Sequence, residues 1–226
     1  MQRVCGVNYG IPEEVVMRRK VDEQITGVKT LGLQNGMARA GTENRRKIYD
    51  IAFIGIFTAL ITICSWISIP TPIPFSLQTF AVFLSVSVLG GKRGTLAVVV
   101  YVLLGAVGVP VFAEFTGGID IILRNTGGYI IGFIFSALIM WLIESLFGRK
   151  LWVQGISMVL GLLACYAIGT AWFMYIYMRD TGAVGLSTVL GWCVIPFIIP
   201  DAVKIVLALT LSNILKKPLA GIMGEA

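Results

Sequence analysis

The sequence predicts an all-α integral membrane protein of six transmembrane helices with both termini in the cytoplasm. Three observations carry that prediction. Of the 226 residues, 57% are hydrophobic and 13% charged, whereas soluble domains run at roughly 45–50% and about 25%. The apolar residues fall into runs long enough for the helix of about 20 residues that a bilayer core requires. Paired basic residues then return at every second helix end. The other spanning architecture, a β-barrel, needs strands that alternate apolar and polar residues over about 10 positions. Segments 132–147 and 151–177 do not alternate, so helices are expected.

Residues 1–44 are polar, mixed in charge and free of long apolar runs. They are expected to form a poorly ordered cytoplasmic tail, with an amphipathic surface helix around residues 13–23 as the alternative. They lack the apolar stretch of a signal peptide, so no cleavage is expected. Met37 opens a basic leader and is a second candidate for the translation start. Residues 45–218 are read as the six-helix membrane domain and 219–226 as a short C-terminal tail.

Helix 1 is expected over about 48–67. Pro70, Pro72 and Pro74 then make a turn, since none suits a helix interior. Helix 2 follows at about 75–89, a tight basic turn at 90–94, and helix 3 at about 95–109. Both helices are short for a full crossing and need help from flanking turns. A long loop with paired glycines covers 110–127. Helix 4 runs over about 128–147, a basic turn over 148–150 and helix 5 over about 151–178. After a polar loop at 179–185, helix 6 begins between Leu190 and Pro200 and ends before Lys216 and Lys217.

Half of the basic residues, nine of eighteen, lie in the first 47 positions. The remainder include Lys92-Arg93, Arg149-Lys150 and Lys216-Lys217, which with Arg45-Arg46-Lys47 share one side of a six-span topology. Cytoplasmic loops carry the Lys/Arg excess, which puts that side inside the cell. The opposite side holds the proline turn, the long glycine loop with Glu114, Asp120 and Arg124, and the Arg179-Asp180 loop. With the rest of the chain apolar, a basic nucleic-acid binder is excluded.

The chain has no His, and its four Cys form no C-x-x-C pair, so no metal site is expected. Cys64, Cys165 and Cys193 stand in apolar runs, as small hydrophobes do. Charges within a span cost about 2.5–3.5 kcal/mol each at mid-helix. Only Asp201 and Lys204 qualify clearly. They stand at i and i+3 on one face of helix 6, just after Pro196 and Pro200. One reading is an ion pair that neutralises itself and packs helices. The other is a polar floor for a solute, with Asp201 accepting from N–H groups and Lys204 donating to a carbonyl or carboxylate. Glu144, near the cytoplasmic end of helix 4, is read as structural. Gln78 is a further polar residue in an apolar run. The loop before helix 4 offers Arg124, Asn125 and Tyr129, where paired glycines let backbone approach a ligand. Helix 1 carries Gly55 and Ala59 at the small-residue spacing that lets membrane helices approach closely, with Ala52 one turn earlier near the same face. A Ser–His or metal-dependent enzyme is excluded by the lack of His, and an aspartyl mechanism lacks its second central carboxylate. No catalytic residue is expected. No G-x-x-x-x-G-K-[ST] occurs, so the chain cannot hydrolyse ATP by that motif.

Four ordered motifs resemble the BioY family: PIPFSLQTFAVFL at 72–84, GGKRGTLAVVVYVLLGAVGVPVFA at 90–113, GGYIIGFIFSALI at 127–139 and IPDAVKIVLAL at 199–209. The resemblance covers roughly residues 48–215. It implies a biotin-specific substrate-binding subunit of an energy-coupling-factor (ECF) transporter, in a bacterial cell membrane. Such a subunit works with a transmembrane coupling protein and two cytoplasmic ATPase subunits, with biotin as the transported ligand and no cofactor. The family's P-D-x-x-K residues fall on Asp201 and Lys204, which the resemblance makes polar ligands of biotin. A subunit for another vitamin is the alternative within the same class. The chain departs from the family in having Arg124-Asn125 where many members read Gly-Pro, and Gly55 where Ala is common in the helix-1 docking motif.

Overall fold

The computed structural model describes residues 45–69 and 75–223, together with Glu14, Met17, Arg18 and Gln24. Those four isolated residues are helical, and Arg18 pairs with Glu14 one turn earlier at 3.6 Å. The rest of the N-terminal tail, the three prolines of the 70–74 turn and the last three residues lie outside the described residues.

Helix α1 spans Arg45–Trp66. Two short strands follow, β1 (Ser68–Ile69) and β2 (Phe75–Ser76), paired antiparallel with Ser68 opposite Ser76 and Ile69 opposite Phe75. The sequence reading put 75–76 in helix 2. Pro70 biases Ile69, the residue before it, towards extended backbone, and pairing with Ile69 and Ser68 draws Phe75 and Ser76 into a strand, which satisfies polar groups that hydrocarbon would leave unpaired. Helix α2 therefore begins at Gln78 and runs to Leu89.

The expected turn at 90–94 contracts to one residue. Gly90, at φ 87°, ends α2 and starts α3 (Gly91–Ala106) directly. The two helices cross so closely that a Cβ on Gly94 would sit 2.4 Å from the Val86 Cα. This close crossing pulls helix 3 some four residues earlier than the sequence suggested. The long loop after it is also more structured than expected. It contains a 3-10 turn at Ala113–Phe115 and the one-turn helix α4, Ile119–Leu123.

Helices α5 (Gly127–Phe147) and α6 (Leu151–Asp180) follow the expected bounds closely. They pack closely at two glycines, each lying against an aromatic side chain of the facing helix: a Cβ on Gly128 would lie 2.2 Å from the Trp172 side chain, and one on Gly169 2.2 Å from the Tyr129 ring. Small residues permit such approach between membrane helices. The final span is broken into α7 (Leu186–Cys193) and α8 (Ile195–Met223), with the break at Val194. Pro196 lacks the N–H that would continue the α7 ladder, and Pro200 sits inside α8. Helix α8 runs on past Lys216 and Lys217, where the sequence reading ended it. The Lys216 ammonium donates to the Gln154 side chain on α6, which holds that stretch against the bundle.

Phe83, Tyr101, Met140 and Met158 fill the core between α2, α3, α5 and α6. Large apolar side chains such as Ile51, Leu142, Leu163 and Ile199 face outward. Among the described residues, four segments are long and apolar enough to cross a bilayer: Arg45–Trp66, Gly127–Phe147, Leu151–Asp180 and Leu186–Lys216. The chain is thus a helical membrane protein with at least four candidate spans. Because the α2–α3 crossing has no room for a methyl group, Gly94→Ala should destabilise the protein by about 1–3 kcal/mol, the usual cost of overpacking. Gly55→Ala, where a Cβ meets nothing within 4 Å, should leave thermal unfolding in detergent unchanged, and the two melting curves check the contrast.

Candidate ligand-binding site

A cavity of about 210 Å³ opens at the bundle end away from the basic turns. Polar residues converge on it from β2 and α2 (Ser76, Gln78, Thr79) and from the start of α5 (Tyr129). Tyr166 enters from mid-α6, while Asp201 and Lys204 come from α8. Phe112, Ile130, Phe133, Leu162 and Phe197 supply apolar wall. An apolar hollow with a few convergent polar groups is the usual form of a small-molecule site.

Asp201 and Lys204 lie at its floor, 3% and 4% exposed. Their helical i,i+3 spacing puts the Lys204 Nζ 2.7 Å from Asp201 Oδ1. The Tyr166 hydroxyl donates to the other carboxylate oxygen, Oδ2, at 2.5 Å. The Lys204 ammonium also stands 4.3 Å above the centre of the Phe75 ring, a cation–π contact strengthened by loss of water. This explains what the β1–β2 pairing achieves: it delivers Phe75 beneath the lysine. Each charge therefore has a second partner beyond the ion pair itself.

Gln78 is buried at the first turn of α2 and donates through Nε2 to the Tyr101 hydroxyl at 2.6 Å. Tyr129 lines the cavity and shares a hydrogen bond with Thr170 at 3.2 Å. Arg124 reaches the rim, but its guanidinium is largely exposed and pairs with Asp120 at 3.4 Å. Its backbone carbonyl accepts from Trp172 Nε1 at 3.0 Å, which anchors the loop. Asn125 is half-buried and is not among the residues lining the cavity. Gln78, Tyr129, Arg124, Asp201 and Lys204 are thus brought to one hollow, and Asn125 is set beside it.

Ala52, Gly55 and Ala59 are exposed on α1. Glu144 is more buried than its place near a helix end suggests, at 6% exposure. It accepts from Gln154 Nε2 at 3.1 Å and faces Arg149 at 3.8 Å. Arg149 in turn donates to the carbonyls of Ser87 and Val88, at 2.9 and 3.2 Å.

Sequence reasoning missed Tyr166, Phe75 and Glu114. Tyr166 sits in an apolar run with nothing to distinguish it from core. Glu114 lines the rim with φ 58°, and Phe115 follows at φ 57°. Such left-handed backbone in residues with a Cβ is uncommon, and no sequence pattern announced it.

The BioY family model matches residues 37–221. The biotin transporter BioY of Thermotoga maritima is 45% identical over 164 residues, covering 72% of this chain and 93% of that one. The probable biotin transporter BioY of Pyrococcus horikoshii is 38% identical, covering 74% and 96%. Biotin transporter BioY2 of Lactococcus lactis is 32% identical, covering 71% and 86%. Among solved structures, the S-component for biotin from an ECF-type ABC transporter superposes with a TM-score of 0.70 at 24% identity, covering 77% of this chain and 94% of that chain.

Removing one member of a buried ion pair strands the other, at a cost of about 3–5 kcal/mol. Lys204→Met alone should therefore lower thermal stability in detergent strongly. The double variant Asp201→Asn with Lys204→Met should recover most of that loss, because neither charge is left alone; melting of the two variants against the parent checks both expectations.

Proposed function

The chain belongs to the BioY family, and on that premise we propose that it captures biotin from outside the cell and hands it inward with an ATP-driven ECF module. The observation that carries this reading is the Asp201–Lys204 pair at the cavity floor, each charge held by a further side chain. Biotin's ureido ring offers N–H donors and a carbonyl acceptor, which match a carboxylate and an ammonium side by side. Charge-assisted bonds of this kind are worth about 1.5–3 kcal/mol net. The apolar wall suits the ring system and the aliphatic chain.

The topology belongs to the same proposal. Helices α1, α2, α3, α5 and α6, with α7 and α8 together as the last span, make six crossings with both termini cytoplasmic. Packing supports it: Arg149 bonds to the end of α2, and Lys216 reaches Gln154 near the start of α6. Lys92-Arg93 in the first turn of α3, Arg149-Lys150 between α5 and α6, and Lys216 in the last part of α8 therefore share one end, the inner one by the positive-inside rule. The cavity then opens outward.

Ala52, Gly55 and Ala59 are proposed as the face that meets the coupling protein, which works with two ATPase subunits. They are exposed, and a Cβ at Gly55 would project into open space. A helix from a partner could approach this backbone closely. Arg124 and Asn125 are proposed to act at the rim, beside Tyr129, rather than at the floor.

Titration calorimetry of biotin tests the site. Asp201→Asn should weaken binding by roughly tenfold to a hundredfold, where about 1.4 kcal/mol is tenfold, and Lys204→Met by at least as much. The double variant should stay weak even where its stability has recovered. A double variant that binds biotin as tightly as the parent contradicts the assignment and leaves the pair as packing. A separate test addresses docking: Gly55→Trp and Ala59→Trp should stop co-purification with the coupling protein while biotin affinity is kept, and co-purification of both would place the docking face elsewhere.

A further inference from the structure

The carboxylate of an aspartate turns easily about its last side-chain bond, because that torsion has broad wells. Lys204 alone would not stop the turning at the cavity floor, since it bonds to one oxygen only, Oδ1, at 2.7 Å. The second contact comes from another helix. Tyr166, in mid-α6, packs its ring against the hydrophobic core. Its hydroxyl stands 2.5 Å from Asp201 Oδ2, at the length of a charge-assisted O–H···O⁻ bond. A carboxylate can only accept, so the tyrosine is the donor, and a phenol has one proton to give. With that proton on Asp201, Tyr166 offers a ligand in the cavity nothing but lone pairs. Among Asp201, Tyr166 and Lys204, which all line the hollow, only Lys204 can then donate to a ligand.

We infer that Tyr166 is a positioning residue for the ligand: by holding Oδ2 from α6 while Lys204 holds Oδ1 from α8, it fixes the plane of the Asp201 carboxylate and so the direction from which a ligand N–H must approach. This inference rests on the biotin reading above and deepens it. A cyclic urea is rigid and carries its N–H groups and its carbonyl in one plane. It can meet Asp201 and Lys204 together only when the carboxylate stands at a matching angle. A carboxylate left free to turn would have to be ordered by the ligand itself, which lowers affinity. The spent tyrosine proton has a second effect. It leaves the ureido carbonyl one donor among these three side chains, Lys204, and this sets which edge of the ring faces which residue.

A double-variant cycle read by biotin titration tests this. Tyr166→Phe keeps the ring and releases the carboxylate, so it should weaken biotin by about tenfold, the worth of one hydrogen bond to a charged group. In the Asp201→Asn background the same Tyr166→Phe change should alter affinity by less than about twofold, because no carboxylate remains to be oriented. A tyrosine that only packs, or that holds the ligand independently of Asp201, would weaken biotin equally in both backgrounds. That result overturns the inference, as does a Tyr166→Phe protein that binds like the parent or more tightly. Asp201→Glu reads the same claim from α8: it keeps the charge but moves the carboxylate by one methylene, out of register with the tyrosine, and should also weaken biotin by about tenfold. An Asp201→Glu protein that binds like the parent overturns the inference, which keeps the test decisive if Tyr166→Phe does not fold. A parent protein that binds no biotin overturns the biotin reading and the inference together. A parent that binds biotin, with equal losses across the cycle, overturns the inference alone.

Discussion

A carboxylate and an ammonium on one face of a membrane helix can persist only if every polar atom they carry is matched, because water is absent and an unpaired charge is costly. In this chain that requirement organises the whole cavity end. The i,i+3 spacing of α8 pairs Asp201 with Lys204. Helix α6 supplies the Tyr166 hydroxyl to the second carboxylate oxygen, and the β1–β2 pairing supplies the Phe75 ring to the ammonium. Three separate chain segments are thus committed to one ion pair. A pair kept only for packing could be replaced by apolar side chains with little loss or even a gain. Lining a hollow with such a costly pair makes sense where a polar ligand is to be held.

The opposite end is built on the reverse plan. Glu144, Gln154, Arg149 and Lys216 interlock α5, α6 and α8, and Arg149 binds the last carbonyls of α2. A cation there also complements the negative end of the helix dipole. The short α2 is consequently tied at both ends: through Gln78 to Tyr101 at the cavity, and through Ser87 and Val88 to Arg149 at the basic end. Most polar side chains at this end bond to one another, with Glu144 Oε2 and Ser87 Oγ left without a hydrogen-bond partner, while at the other end they surround a hollow.

Much of this was legible in the sequence for simple physical reasons. Helices α5 and α6 could be bounded because long apolar runs end at Gly148 and at Arg179, and the charges of Asp201 and Lys204 stood out against apolar surroundings. The start of α3 was not legible, because the tight Gly90 junction depends on Val86 lying against Gly94, a contact between helices rather than a local pattern. The β1–β2 pairing and α4 were hidden for a related reason: they are one turn or two residues long, below the length at which periodicity speaks. Tyr166 was hidden because an aromatic residue in an apolar helix reads as core until its hydroxyl partner is known. Asn125 entered the expected site as a polar neighbour of Arg124 and Tyr129 in sequence, and the fold sets it beside the cavity lining rather than in it. The expected end of α8 before Lys216 followed from reading basic residues as a boundary, yet a lysine with a long aliphatic stem can stay in the helix and reach Gln154.

The central claim is that the hollow floored by Asp201 and Lys204 is where biotin sits, and a structure of the protein determined with biotin bound tests it most directly. The account predicts the ureido ring within hydrogen-bonding distance, about 3 Å, of the Asp201 carboxylate and the Lys204 ammonium, with the Asp201–Tyr166 contact retained. Biotin found with its ureido ring away from both residues, or bound at the Glu144–Gln154 end of the bundle, would contradict it.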